Sequence, residues 1–316
     1  MRPGFVTSPS CSRVTVVAPV LMITNANAGT SDRDSISIAL SVLRASCEVE
    51  VAASQDPGEL DQILRQTRDR TIVVAGGDGS LHAVIAALYA KDDLAGRTLA
   101  LLPLGTGNDF ARALNLPADP EAAARVILSG APRPVDLIVE DSGEVVVNSV
   151  HAGASVQASK TAAKWKSRLT PVGLGVLGYP IGAALTAINP PRVQLTVEVD
   201  GEVITRPDQR LLMVVIGNGS SVGGGAELTP DADTRDGYAD VMVSLATGPF
   251  ARFAYAWGVK DGSHPARTDV ITRRAKIVSV RGEKFSVSAD GEISGPRDAR
   301  TWQVLPSAYK IVAPTR

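Results

Sequence analysis

Residues 71–80 read Thr-Ile-Val-Val-Ala-Gly-Gly-Asp-Gly-Ser, a β-branched apolar run that leads into a glycine-rich turn. The apolar residues after it recur at helical spacing to about residue 90, which predicts a strand, a turn and a helix in succession. Glycines at a strand end allow backbone N–H groups to approach a phosphate, because no Cβ atom intervenes. The helix that follows adds the positive end of its dipole. This stretch therefore indicates an anion-binding turn of an α/β domain, with a purely structural turn as the alternative.

Two further turns of this kind flank the first. Asn25-Ala26-Asn27-Ala28-Gly29-Thr30 follows the apolar run 20–24, and Gly105-Thr106-Gly107-Asn108-Asp109 follows the run 99–103. Thr106 can give a hydroxyl to a phosphate, whereas Asn108 or Asp109 can cap the next helix. Because the ends of adjacent parallel strands meet at one sheet edge, we expect the turns to converge on a ligand crevice. Neither GxxxxGK[ST] nor GxGxxG occurs at these places, which argues against a P-loop or a Rossmann dinucleotide site.

The pattern changes near residue 134. Before it, strand-like runs alternate with helical patterns, the runs being residues 14–17, 20–24, 48–53, 71–75 and 99–103 and the helical patterns residues 36–46, 59–67, 80–90 and 109–114. Such alternation predicts a parallel, three-layer α/β domain over residues 1–134. Short alternating runs with few helices fill residues 135–301 and predict a β-rich second domain, a sandwich or curled barrel.

Composition excludes several classes of protein. The 316 residues are 44% hydrophobic, and 32 Lys and Arg balance 33 Asp and Glu to a net charge of -1. This balance argues against a protein that wraps nucleic acid through bulk positive charge, and against a polybasic membrane tether. Two cysteines and three histidines without ligand spacing argue against a disulfide scaffold or a Cys/His metal cluster.

Two features bear on location. The first residues lack the pattern of a secretory signal, so we expect a cytoplasmic protein, with a peripheral position at the inner membrane surface left open. Residues 169–191 carry no charge but contain several Gly and Pro, which favours a buried or interfacial helix over a membrane span. Trp165 between Lys164 and Lys166 belongs either to a solvated loop or to a segment that makes transient contact with a membrane surface.

At its glycine-rich turns the sequence resembles the diacylglycerol kinase catalytic-domain superfamily, which includes bacterial lipid kinases and sphingosine kinases. The resemblance rests on Gly76–Ser80 and on the Pro-Leu-Gly-Thr-Gly-Asn-Asp-Phe-Ala segment at 103–111. Asn148 with Gly153, the run Gly223-Gly224-Gly225, the segment around Asp236-Gly237-Tyr238, and Asp290-Gly291-Glu292 extend it over about residues 20 to 310.

The resemblance implies an ATP-dependent lipid kinase with Mg²⁺, a phosphofructokinase-like α/β domain and a C-terminal β-sandwich domain. It also implies that residues 302–316 return to the first domain. The residues that would surround the nucleotide are Asn25, Gly29, Thr30, Gly76, Gly77, Asp78, Gly79, Ser80, Thr106, Gly107, Asn108 and Asp109.

The resemblance assigns acids to two further roles. Asp290 would be the general base for the lipid hydroxyl, supported by Glu292, and Asp78 would help to organise magnesium. From the residues alone, Asp290-Gly291 could equally be a plain β-turn, as Asp200-Gly201 is expected to be. Asp236, with Asp233 and Tyr238, resembles the family's structural magnesium site.

Two rival functions stay open. The Gly-Gly-Asp-Gly turn also suits a soluble-metabolite kinase of the phosphofructokinase or NAD kinase type. Thr30 and Ser155 differ from the family pattern and would suit a non-catalytic protein that binds nucleotide or lipid. The expected partner is a lipid with a free hydroxyl, such as diacylglycerol; nucleic acid is not expected, and a homodimer is left open.

Overall fold

The computed structural model describes residues 19–26, 29–66, 70–154, 156 and 193–315. The predicted strand at 14–17, the uncharged stretch 169–191, Trp165 and Ser155 lie outside the described residues.

A parallel sheet forms the centre of the first domain. Its strands follow the order β2-β1-β3-β4, and every neighbouring pair among these four is parallel. The elements of this domain are β1 (Val20–Asn25), α1 (Thr30–Arg44), β2 (Val49–Ser54), α2 (Pro57–Gln66), β3 (Thr71–Gly76), α3 (Asp78–Tyr89), β4 (Thr98–Pro103), α4 (Asp109–Ala113) and α5 (Pro120–Ser129).

Alternating strand residues build a hydrophobic core on each face of this sheet. Val20 and Met22 of β1 pack in a core with residues of α1 and α5. Leu21 and Ile23, whose side chains point the opposite way, pack in a second core with residues of α2 and α3. The strands are apolar on both faces because helices cover both, as is typical of parallel sheets. The predicted three-layer arrangement is confirmed.

The second domain consists mainly of antiparallel strands around a separate core. In chain order the strands are β5 (Ala131–Glu140), β6 (Val145–Val146), β7 (Ser149–Gly153), β8 (Val193–Val199), β9 (Glu202–Val203), β10 (Arg210–Leu211), β11 (Met213–Gly217), β12 (Ser221–Val222), β13 (Ala226–Glu227), β14 (Ala239–Ser244), β15 (Val270–Ala275), β16 (Ile277–Ala289) and β17 (Glu292–Ala313). One α-helix, α6 (Pro249–Asp261), and a short 3-10 helix at His264–Ala266 lie between β14 and β15. The predicted β-rich character is confirmed, but α6 was not anticipated.

β17 connects the two domains. Its first half pairs antiparallel with β16, and Trp302 is buried in the core of the second domain. Near its end, Lys310 and Ile311 pair parallel with Thr98 and Leu99 of β4. The 22-residue strand therefore extends the parallel sheet of the first domain and also pairs with a strand of the second domain.

Among the residues that the structure describes, no helix combines the length and the apolar character that crossing a bilayer requires.

Candidate active site

Three strand ends bring the glycine-rich turns together. In the sheet register Asn25 lies beside Ser54, Thr24 beside Ala75, and Gly76 beside Pro103. The turns that follow β1, β3 and β4 therefore leave the same sheet edge, which is where α/β proteins usually bind ligands.

The turns after β3 and β4 are in direct backbone contact. A Cβ atom added to Gly105 would lie 2.6 Å from the Gly77 Cα, and one added to Gly77 would lie 2.9 Å from the Gly105 Cα. Real Cβ atoms do not approach backbone this closely, so both positions require glycine. The two segments thus form one continuous surface of backbone.

Asp78 joins this surface to α4. Its Oδ2 accepts a hydrogen bond from the Asp109 N–H at 3.0 Å, and its Oδ1 accepts one from the Phe110 N–H at 3.0 Å. These are N–H groups of the first turn of α4, which have no partner within the helix. Asp78 therefore acts as the cap of α4. Each of its oxygens accepts one of these hydrogen bonds, which leaves capacity for a further partner.

Asn108 and Asp109 have structural contacts of different kinds. The Asn108 side chain closes its own turn, because its Oδ1 accepts from the Gly105 N–H and its Nδ2 donates to the Gly105 carbonyl. The buried Asp109 carboxylate reaches the second domain, where it accepts from the N–H groups of Gly224 and Gly225 and from the Ser221 hydroxyl. Asp109 is thus a link between domains.

A cavity of about 640 Å³ opens beside the turns. Among the residues predicted to bind nucleotide or act on substrate, Asn25, Gly79, Ser80 and Glu292 line it. Its other walls come from α3 and from the turn between β2 and α2, with the residues Ser54, Gln55, Asp56, Pro57, Gly58, Leu60, His82, Ala83, Ala86 and Ala87 among them. The sequence did not identify the β2–α2 turn as part of the site.

The N-terminus of α3 offers donors to an anion. Its first residues follow Gly77, and no side chain of the described residues is seen to cap the helix start. A Cβ atom added to Gly79 would meet nothing within 4 Å, so the backbone there faces open space. Thr106, on the neighbouring turn, is exposed. Gly29 is the N-cap residue of α1, which begins at Thr30, and it provides no side-chain cap. The N–H groups at a helix start suit phosphate, so this arrangement fits the phosphates of a nucleoside triphosphate.

Asp290 lies behind the cavity wall, with its side chain only 2% exposed. Its Oδ1 accepts hydrogen bonds from the N–H groups of Asn148 and Ser149, at 2.9 and 3.1 Å. Its Oδ2 accepts from the Val147 N–H at 2.7 Å and contacts Nδ1 of His82 at 2.8 Å. The carboxylate thus has four partners and does not itself line the cavity.

His82 stands between Asp290 and the cavity. Its side chain is 19% exposed and forms part of the cavity wall. The hydrogen bond to Asp290 is the main cause that raises the pKa of His82 above its ordinary value, with burial opposing it and Glu292 adding to it. Sequence reasoning treated His82 as an isolated histidine. His82 follows Asp78 by four residues, which places both side chains on one face of α3. This spacing is the feature of the sequence from which His82 could have been predicted as a site residue.

A second histidine, His151, lies on β7 next to the segment that donates to Asp290. Nε2 of His151 is 3.1 Å from the Ser149 hydroxyl. Burial lowers the pKa of His151 to about 4, so it is neutral at physiological pH. It therefore supports the strand that supplies N–H groups to Asp290 without adding charge.

The residues predicted for a structural magnesium ion are paired with arginines. Asp233 forms two hydrogen bonds with Arg235, and Asp236 forms an ion pair with Arg274 and accepts from the Tyr238 N–H. Among the described residues there is no group of three acidic, His or Cys side chains that could hold a metal. As arranged, these side chains do not fit a bound cation, and the structural magnesium site stays a prediction.

Two family models match the chain. Residues 19–139 match the diacylglycerol kinase catalytic domain, and residues 148–313 match the YegS C-terminal NAD kinase beta sandwich-like domain. A diacylglycerol kinase of Bacillus subtilis (strain 168) is 32% identical over 71% of each chain. A protein of Serratia proteamaculans (strain 568) named "Probable lipid kinase YegS-like" is 31% identical over 72% of this chain and 73% of its own.

Solved structures share the fold. A diacylglycerol kinase of Bacillus anthracis strain Sterne aligns with a TM-score of 0.68 at 19% identity, over 94% of this chain and 97% of its own. A second crystal structure from that organism aligns with a TM-score of 0.75 at 23% identity, over 95% and 98% of the two chains. The α/β domain followed by a β-sandwich-like domain is therefore a shared architecture.

Proposed function

Because this chain belongs to the diacylglycerol kinase catalytic-domain family, we propose that it is an ATP-dependent lipid kinase. It transfers the γ-phosphoryl group to the hydroxyl of a diacylglycerol-like lipid. One observation carries the proposal: the start of α3, the acid Glu292 and His82, which is hydrogen-bonded to the buried Asp290, all border one cavity. The site therefore joins a phosphate-binding surface to a proton acceptor.

The backbone of the two contacting turns, those after β3 and β4, binds the phosphates. The N–H groups at the start of α3 donate to phosphate oxygens, and the exposed Thr106 hydroxyl adds a further donor. Asn25, Gly29 and Thr30 lie on the turn after β1, and Asn25 closes the cavity from that side. Phosphoryl transfer depends mainly on positioning and charge stabilisation, which this rigid backbone supplies.

Asp78 is the carboxylate that fits a catalytic magnesium ion. Each of its oxygens accepts a single N–H, whereas the Asp109 oxygens are shared among four donors. When bound, Mg²⁺ would neutralise charge on the phosphates. Asp109 keeps the Gly224–Gly225 segment against α4 and so maintains the distance between the domains.

The proton of the lipid hydroxyl passes to the His82–Asp290 pair. The four partners of Asp290 hold it away from the cavity, so we assign the accepting atom to Nε2 of His82 and the stabilising charge to Asp290. The lipid oxygen forms a bond to the γ-phosphorus, the bond to the β-phosphate oxygen breaks, and ADP leaves. The imidazolium then returns its proton to solvent. Positioned acid–base catalysis typically contributes about 10²–10⁴-fold.

The experiment incubates the purified full chain with Mg²⁺ and γ-labelled ATP in the presence of diacylglycerol, a sugar phosphate or NAD. We expect label in the lipid alone. Thr106→Ala should weaken ATP binding, whereas Thr268→Ala, at an exposed threonine of the second domain, should not.

Two results would replace the proposal. Label in NAD or in the sugar phosphate, with none in lipid, identifies a soluble-metabolite kinase. Tight ATP binding without transfer to any lipid identifies a non-catalytic binding protein.

A further inference from the structure

Helix α6 presents three aromatic side chains to solvent. Phe250 is 91% exposed, Phe253 72% and Trp257 59%. Their spacing of three and four residues places them on one face of the helix. The rings of Phe253 and Trp257 lie 6.5 Å apart, so they form a continuous apolar stripe.

The opposite face of α6 is firmly packed, so the exposure of the aromatics is not caused by a loose helix. Tyr255 is buried, with its hydroxyl against the sulfur atoms of Met213 and Met242 and its ring edge against His264. Gly258 allows the helix to approach His264 closely, because a Cβ there would lie 3.1 Å from its backbone nitrogen. The helix is therefore a rigid support for the stripe.

A basic side chain borders the stripe. The Lys260 ammonium lies 5.4 Å from the centre of the Trp257 ring. Arg252 lies on a different face of the helix and donates to the Gly248 carbonyl. The one acidic residue of the helix, Asp261, is at its C-terminal end and accepts from Ser263. An amphipathic helix with aromatic rings on one side and Lys or Arg beside them suits the interface of an anionic bilayer.

We propose that α6 docks this protein on an anionic lipid bilayer, with Phe250, Phe253 and Trp257 inserted between the headgroups. The proposal deepens the proposed function, because a lipid kinase must reach a substrate that is held in a membrane. It also assigns the contact to α6.

The size of the stripe favours a bilayer over a second copy of this chain. Three aromatic side chains at these exposures present roughly 300–500 Å². A stable protein dimer buries about 800 Å² on each partner, so this single convex helix is too small to form one. A bilayer needs no complementary groove, and long basic side chains reach phosphate headgroups while the rings are buried.

The docking helix is connected to the candidate active site through few residues. Leu228, which follows β13, accepts a hydrogen bond from His264 at its carbonyl, and His264 packs against α6. Gly224 and Gly225, just before β13, donate to Asp109. α6 is therefore linked by packed residues to the segment that donates to Asp109.

The test measures binding of the full chain to vesicles of phosphatidylcholine with or without 30 mol % phosphatidylglycerol. We expect the protein to bind the anionic vesicles and to bind them more weakly as salt is added. The fluorescence of Trp257, obtained by subtracting the emission spectrum of Trp257→Phe from that of the wild type, should shift to the blue when vesicles are added. Phe250→Ser combined with Phe253→Ser should lower vesicle partition at least 10-fold. Ile38→Ser, at an apolar residue 46% exposed on α1, is the matched control and should change nothing.

Other outcomes overturn the proposal. Unchanged partition of the double variant removes α6 from the contact. A wild-type dimer that the double variant dissociates, without vesicle binding, assigns the stripe to a second copy. If Trp257 is shielded from a soluble quencher in the free protein, another segment of the same chain covers the stripe.

Activity separates this proposal from the function. On a short-chain diacylglycerol below its critical micelle concentration, wild type and the double variant should have equal turnover. Vesicle binding without turnover on any lipid refutes the kinase and leaves the docking surface standing. Turnover without vesicle binding does the reverse.

Discussion

Replacement of Asp290 by Asn tests whether this buried carboxylate is a structural and a chemical part of the site. Asp290 has a φ of 47°, a left-handed conformation that Asn also accepts, so the backbone turn should persist. The amide oxygen can keep the N–H groups of Asn148 and Ser149. The amide NH₂ would then face the Val147 N–H, which loses its acceptor.

The magnitude follows from this geometry. A buried hydrogen bond to a charged group contributes about 1.5–3 kcal/mol, so Asp290→Asn should lower the free energy of unfolding by that amount in urea titrations. Turnover should fall about 10²–10⁴-fold, because the imidazolium of His82 loses its counter-charge. Turnover is measured at a temperature at which circular dichroism shows the variant to be folded.

Asp200→Asn is the matched control. Asp200 also precedes a glycine, has a φ of 49° and accepts from two backbone N–H groups, those of Lys276 and Ile277. It is exposed, and one of its oxygens accepts both bonds, so Asn should serve with little loss and full turnover. Lower stability of Asp290→Asn with wild-type turnover would reduce Asp290 to a structural role. Unchanged stability would refute the hydrogen-bond assignment itself.

Three further changes test the same region. Gly105→Ala places a Cβ 2.6 Å from the Gly77 Cα and should lower the urea midpoint, whereas Gly79→Ala, whose Cβ meets nothing within 4 Å, should not; equal midpoints would disprove the backbone contact. Asp109→Ala leaves two N–H groups and a hydroxyl without their acceptor, at about 1–3 kcal/mol for each donor that stays buried, so calorimetry should show a lower Tm, and an unchanged Tm would contradict the domain link. His82→Asn should abolish turnover and alter the pH dependence of stability. Because the folded-state pKa of His82 is raised, the stability that the ion pair with Asp290 contributes is present below pH 6.5 and is lost as pH rises through the raised pKa. The variant should not show this loss. A parallel pH profile in urea would refute the ion pair.

The sequence alone determined the framework and the glycine-rich turns at the ends of its strands. Apolar runs that alternate with helical patterns specify a parallel sheet, because its inner strands are buried on both faces and helices must cover them. Gly77 and Gly105 were identified as turn residues because glycine has no Cβ, which is a property of the residue itself. The sequence did not predict α5, and it did not anticipate α6, whose exposed aromatics carry the same periodicity as a buried face.

Only the tertiary structure decided which side chains meet. His82 and Asp290 are 208 residues apart in the chain, and Asp109 reaches Gly225 across 116 residues. Local propensity contains no information on such pairs, because they depend on how β17 aligns the two sheets. For the same reason the sequence predicted Asp290 at the site but not its burial behind His82. A local motif is enough to identify an acidic residue as a candidate. The partners that determine its chemical role come from distant segments, and only their packing brings them together.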